Sequence, residues 1–160
     1  MKKLWRHVGV VLFWVSWPVL WVYFRTSGPR ARVVIISDNE VLLVQSWMGE
    51  NKYGLPGGGS HKGEPVIKAA VREVYEETGI SLNESGLKYV GSRNETKYGL
   101  RYKAEFYVAE LARHPETTPQ KLEIHELRWV PLDQIHTLQV QDDALDGISK
   151  YRPVQQGNLL

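Results

Sequence analysis

The apolar positions of the 160-residue chain change pattern twice. Val8 to Phe24 is a seventeen-residue apolar run broken only by Ser16 and Pro18. From Arg32 onward the pattern becomes short β-branched and aliphatic segments. RVVIIS (Arg32–Ser37) and VLLVQ (Val41–Gln45) flank Asp38-Asn39-Glu40, which predicts a β-hairpin. A glycine-rich loop follows from Gly54 to Gly63. Pro65 suits a first helical position. Ile67, Ala70, Val71 and Val74 then recur at the spacing of one apolar helix face, and Gly79 suits the helix end. Leu87–Asn94 and Tyr102–Leu111 read as strands meeting around Tyr98-Gly99. Arg128–Val130 reads as a short strand, and Pro131 as the opening of a helical turn toward Leu138. From Tyr151 the tail is polar, and the chain has no internal repeat. This order predicts an α/β domain with helices packed on a mixed sheet.

The first run is long enough to change the picture. A membrane-spanning helix needs about 20 apolar residues, with a lower limit of about 17. Leu4 and Trp5 extend the run to that length if Arg6 and His7 snorkel. Four of the six tryptophans, Trp5, Trp14, Trp17 and Trp21, lie in it or beside it, which suits lipid better than a compact core. A cleaved signal peptide is the rival reading, but no A-x-A site follows. A core or interfacial helix is the third. We therefore expect an anchor through residues 8–24. The expected organisation is an anchor and linker at 1–30, one domain at 31–150 and a tail at 151–160.

The net charge of +2 comes from this segment. Residues 1–32 hold six basic residues and no acid, which leaves fourteen basic against eighteen acidic residues, or −4, in the remainder. The domain thus lacks a basic nucleic-acid footprint, and no stable nucleic-acid partner is expected. Oligomeric state is not readable. The absence of cysteine excludes disulfides and a cysteine nucleophile.

Candidate chemistry lies in GLPGGGSHKGEPVIKAAVREVYEETGI (Gly54–Ile80). At about 100° per residue, Glu76 lies about 60° to one side of Glu73 and Glu77 about 40° to the other. Three carboxylates on one helix face repel one another unless something positive compensates them. Oxygen ligands on a rigid surface are what Mg²⁺ or Mn²⁺ require. The glycines let the backbone approach the same place, and Arg72 can pair with a neighbouring carboxylate. A glutamate-bearing helix taken alone is more often a solvated face.

The combination is more specific. Gly58, Glu64, Arg72, Glu73, Val74, Glu76, Glu77, Gly79 and Ile80 resemble, without departure, the Nudix hydrolase signature G-x5-E-x7-R-E-U-x-E-E-x-G-U, where U is aliphatic. At about 7 % per fixed position, the seven fixed residues match by chance on the order of once in 10⁸ starts. The resemblance covers roughly residues 31–140, including the GLPGGG lead-in and ELRWVPLDQI. It implies a Nudix-like α/β/α sandwich and Mg²⁺- or Mn²⁺-dependent hydrolysis of a nucleoside diphosphate linked to a group X. Carried over, Glu76 and Glu77 look like principal metal ligands, joined by the Gly57 carbonyl. Glu73 looks like a ligand or the base that activates water, Arg72 orients it, and Glu64 supports from behind. Glu123 or Glu126 is expected to complete the metal site. Tyr53, Arg93, Tyr98 and Arg101 are candidates for substrate binding, with Trp47 and Lys97 as further options.

Two rival functions stay open. One is hydrolysis of a lipid-linked or nucleotide-activated lipid diphosphate, suggested by the anchor. The other is a non-catalytic nucleotide-binding regulatory domain. Three basic residues precede the apolar run and three follow it, so charge leaves orientation undecided. Nucleotide chemistry favours a catalytic domain facing the cytoplasm.

Overall fold

The computed structural model describes residues 28–47, 51–97, 100–119 and 124–151. Five strands form one mixed sheet: β1 (Arg30–Ser37), β2 (Glu40–Ser46), β3 (Lys88–Lys97), β4 (Leu100–Leu111) and β5 (Ile124–Pro131). Their order is β3-β4-β1-β2-β5. β1 and β4 are parallel, and the other three pairings are antiparallel. The predicted hairpin is present. Its turn is the two residues Asp38 (φ 49°) and Asn39 (φ 63°), the left-handed pair that matches the twist of the flanking strands.

Side chains alternate across the sheet, so the strands feed two cores. Ala31, Val33, Ile35, Leu42, Tyr107 and Ala109 face helix α1 (Val66–Thr78), whose Ala70 and Val74 are fully buried against them. Pro65 caps the helix rather than beginning it, accepting from the Ala69 N–H at 3.1 Å. Gly79 closes it in the left-handed conformation, as predicted. On the opposite face, Val34, Ile36, Leu43, Phe106, Val108 and Val130 pack with Tyr53, Leu55 and Ala144. Ala144 belongs to α2 (Asp142–Ser149), which no sequence pattern had indicated. The expected turn after Pro131 is a 3₁₀ segment, Leu132–Thr137. β3 and β5 extend beyond the predicted strands.

The loop after β2 decides where the site lies. The Val44 and Gly54 amides each donate to the other's carbonyl, at 2.9 and 2.8 Å. The Val33 amide donates to Pro56 O at 2.9 Å and the Ala31 amide to Gly58 O at 2.8 Å. Residues 54–58 thus bond to β2 at one end and to β1 at the other. This strand-like path brings the glycines up against the carboxylate face of α1.

The expectation of a membrane-anchored chain with its domain facing the cytoplasm is corrected here. No helix among the described residues is long and apolar enough to cross a membrane. α1 has 13 residues and spans about 20 Å, against about 30 Å of hydrocarbon. Residues 8–24, on which the anchor was read, lie outside the described residues.

Candidate active site

One guanidinium organises the site. Arg72, on α1, donates from Nη1 to Glu73 Oε1 at 2.7 Å and to Glu76 Oε2 at 3.2 Å. Its Nε donates to Glu64 Oε1 at 3.1 Å, and its Nη2 to Glu64 Oε2 at 3.0 Å. Nη2 also donates to the Gly59 carbonyl at 3.0 Å. Two parallel bonds to one carboxylate use the planar fork that lysine lacks. Three carboxylates against one guanidinium leave two negative charges around Arg72. Arg72 holds the Glu64 carboxyl down to about 2, helped by the His61 amide, which donates to Glu64 Oε2 at 2.7 Å.

At Gly57 and Gly58 a side chain would collide with its surroundings. A Cβ on Gly58 would lie 2.3 Å from the Glu73 carboxylate. Gly57 has φ 136°, and a Cβ there would meet the Ala31 carbonyl at 2.3 Å. Glu77 is buried, and its Oε2 accepts from the Gly57 amide at 2.8 Å. That bond ties the loop to the helix. Glu76 is half-exposed.

Arg32 is a participant that the sequence reading missed. Its Nη1 donates to the Gly57 carbonyl at 2.8 Å, and its Nε donates to Asp143 Oδ2 of α2 at 3.1 Å. Burial works against the Arg32 charge, but Asp143 outweighs it and the guanidinium's pKa is raised. The signal was present in the sequence: Arg30 and Arg32 alternate with Ala31 and Val33 at the start of an otherwise apolar strand.

The remaining candidates separate. Tyr53 is buried and donates its hydroxyl to Glu126 Oε2 at 2.9 Å, so a substrate candidate and a metal candidate engage each other. Burial raises the Tyr53 pKa, and Glu126 adds to the rise while Arg128 opposes it. Arg93 lies 2.7 Å from Glu95 Oε1. Arg101 is exposed and alternates onto the opposite face of β4 from Tyr102, away from Arg93. Trp47 is exposed and tilts over His125, with ring centroids 4.2 Å apart. Tyr98 and Glu123 lie outside the described residues.

Among the described residues no three His, Cys, Asp or Glu side chains converge as a ready metal cage. The donor set still suits a hard dication in kind. Its donors are carboxylate oxygens on one helix face, they carry excess negative charge, and glycine leaves space for Glu73.

The sequence profile of the NUDIX domain matches residues 26–150. The chain belongs to the NUDIX family. Nudix hydrolase 7 of Arabidopsis thaliana is 33 % identical over 113 residues, covering 67 % of this chain and 39 % of that protein. An RNA pyrophosphohydrolase of Histophilus somni is 27 % identical over 137 residues, covering 83 % and 69 %. The NAD-capped RNA hydrolase NudC of Pseudomonas aeruginosa is 32 % identical over 123 residues, covering 74 % and 41 %. This NUDIX chain thus spans about two-fifths of the Arabidopsis and Pseudomonas relatives. The fold is that of the MutT NUDIX hydrolase from Burkholderia pseudomallei (TM-score 0.70, 23 % identity, 78 % of this chain and 98 % of that one). It is also that of the NUDIX domain of Shewanella oneidensis NrtR complexed with ADP ribose (TM-score 0.67, 19 % identity, 77 % and 84 %).

Proposed function

We propose that residues 31–150 form a catalytic unit that hydrolyses the diphosphate bond of a nucleoside diphosphate linked to a further group X, with Mg²⁺ or Mn²⁺. The observation that carries this reading is the web around Arg72, which fixes Glu64, Glu73 and Glu76 beside the glycine loop. The relatives' names, which include pyrophosphohydrolases, support the reaction class.

Glu76 and Glu77 would hold the cation, with Glu73 beside them. The Gly57 carbonyl, which accepts from Arg32, would share its second lone pair. A divalent ion supplies neutralisation of the diphosphate charge and a more acidic water. The side chains do the rest. Arg72 keeps Glu73 aimed, so its carboxylate can take a proton from water attacking one phosphorus. Glu64 grips the other side of Arg72 and fixes that aim. The Glu77 bond to the Gly57 amide holds the loop at its working distance. Water adds to phosphorus, the bond to the bridging oxygen breaks, and both products carry phosphate.

A substrate panel tests the reading. It comprises ADP-ribose, a nucleotide sugar, a dinucleoside polyphosphate, an NTP and a 5′-triphosphorylated RNA, each with Mg²⁺, read as phosphate or nucleotide release. Turnover of at least one is expected, and silence on all of them contradicts the proposal.

A further inference from the structure

The α2 side of the sheet changes character beyond Phe106. Cross-strand partners share a face, so Tyr102 and Glu95 lie together, as do Ala104, Arg93 and Arg30. Among the described residues, only two buried side-chain polar atoms lack a hydrogen-bond partner: Arg30 Nε and Glu95 Oε1. One is a donor and the other an acceptor, and both belong to residues beside the same tyrosine. The Arg30 guanidinium carbon lies 5.6 Å from the centroid of the Tyr102 ring. Glu95 is the direct cross-strand partner of Tyr102.

Arg30 Nε has no hydrogen-bond partner, whereas Glu95 Oε1 has an ion-pair contact without one. Buried polar groups are nearly always satisfied, so an exception calls for a reason. Glu95 Oε1 lies 2.7 Å from Arg93 Nε, close enough to offset charge. That contact is not aligned as a hydrogen bond, so the directed acceptor position stays open. Arg30 has a different neighbourhood. Burial, with Arg32 adding to it, disfavours its charge, while Tyr102, Glu73 and Glu77 favour it. Arg30 also pairs with Gly59 in an isolated bridge, which sets it beside the glycine loop of the site.

We propose that Tyr102, Glu95 and Arg30 form the recognition subsite for the nucleoside half of the substrate. The base lies against the Tyr102 ring and donates an N–H to Glu95. Arg30 donates to a phosphate or ribose oxygen on the side toward the glycine loop. This deepens the hydrolase reading and rests on it, since that reading supplies the nucleotide. The geometry selects for a flat ring with an N–H edge joined to an anionic end. A carboxylate acceptor favours bases with amino or ring N–H groups facing it, and disfavours edges made only of acceptors. Stacking on tyrosine supplies affinity common to every base.

Calorimetric titration of the full chain in EDTA tests the subsite without turnover. The probes are GMP, AMP, CMP, UMP and the baseless ribose 5-phosphate. We expect at least one nucleotide to bind about tenfold or more tightly than ribose 5-phosphate. Glu95→Gln should remove most of that advantage for the preferred base and reorder the four. Tyr102→Leu should weaken all four by about tenfold and leave ribose 5-phosphate unmoved. Tyr102→Trp, which keeps an aromatic surface, should retain or improve binding, and this separates stacking from misfolding. Arg30→Gln should weaken nucleotides and ribose 5-phosphate together. Equal binding of nucleotides and ribose 5-phosphate overturns the subsite. So does no binding of any probe, or a Glu95→Gln variant that keeps the wild-type order of bases. Hydrolysis of the panel with unchanged base preference in these variants defeats the subsite and spares the hydrolase reading. Base-selective binding without hydrolysis does the reverse.

Discussion

The Glu73 carboxylate occupies the space in which a side chain at Gly58 would begin. A Cβ at residue 58 would lie 2.3 Å from Glu73 Cδ and Oε2 and 2.6 Å from Oε1. Glycine there makes room for a functional group, because no left-handed backbone requires it. Gly58→Ala should therefore push Glu73 out of register. A misplacement of about 1 Å can cost about 100-fold in rate. We expect kcat to fall by about that much while the cooperative thermal transition persists. Activity within threefold of wild type would show that Glu73 does not need this position.

Arg72 and Glu73 should act as one unit. Arg72 Nη1 donates to Glu73 Oε1 at 2.7 Å. Arg72→Ala and Glu73→Gln should each lower kcat, and the double variant should lose much less than the sum of their losses. Additive losses in a double-mutant cycle would mean that the two side chains contribute separately.

Glu64 makes stability depend on pH in a defined window. Its carboxyl is lowered from 4.5 to about 2. A depressed folded-state value means that the unfolded chain binds more protons in that range. The stabilisation is fully present above about pH 4.5 and is lost as pH falls toward about 2. Glu64→Gln removes this contribution. The gap in Tm between wild type and variant should be constant above pH 5 and narrow steadily below it. Parallel Tm curves from pH 7 to pH 3 would contradict the assignment.

Arg32 and Asp143 form a pair whose side chains are 11 % and 12 % exposed. Removing one partner strands a buried charge, at a cost of about 3–5 kcal/mol. Asp143→Ala should destabilise by about that amount in urea unfolding. Combining it with Arg32→Met should restore part of the loss, because no charge is left behind. The Gly57 carbonyl also loses its donor in that double variant. Stability should therefore recover further than activity does. A double variant less stable than Asp143→Ala would refute the stranded-charge account.

Much of this was legible in the residues themselves. The hairpin announced itself through the Asp38-Asn39 turn between two aliphatic runs, and α1 through the spacing of Ile67, Ala70, Val71 and Val74. The carboxylate face and Arg72 followed from helical periodicity and the family signature. The α2 helix did not. It has eight residues, and it is held by tertiary contacts such as fully buried Ala144. A turn or two of helix carries too little periodicity to stand out. Arg32 was missed for a related reason. Its partners, Gly57 and Asp143, lie 25 and 111 residues away, so only the folded sheet joins them. Tyr53 was read as a stacking surface beside a loop, and the fold buries its ring and joins its hydroxyl to Glu126, 73 residues away.

The most direct measurement is cation-dependent turnover of whichever substrate in the panel is cleaved. Hydrolysis should stop in EDTA and return on titration with Mg²⁺ or Mn²⁺. Glu76→Gln and Glu77→Gln should each lower kcat by orders of magnitude at saturating cation, with the circular dichroism spectrum unchanged. Gln keeps the shape of the side chain and removes the charge that holds a hard cation. Chelator-resistant hydrolysis by the purified protein, or full activity in both variants, would contradict the proposal that the carboxylate face of α1 carries the reaction.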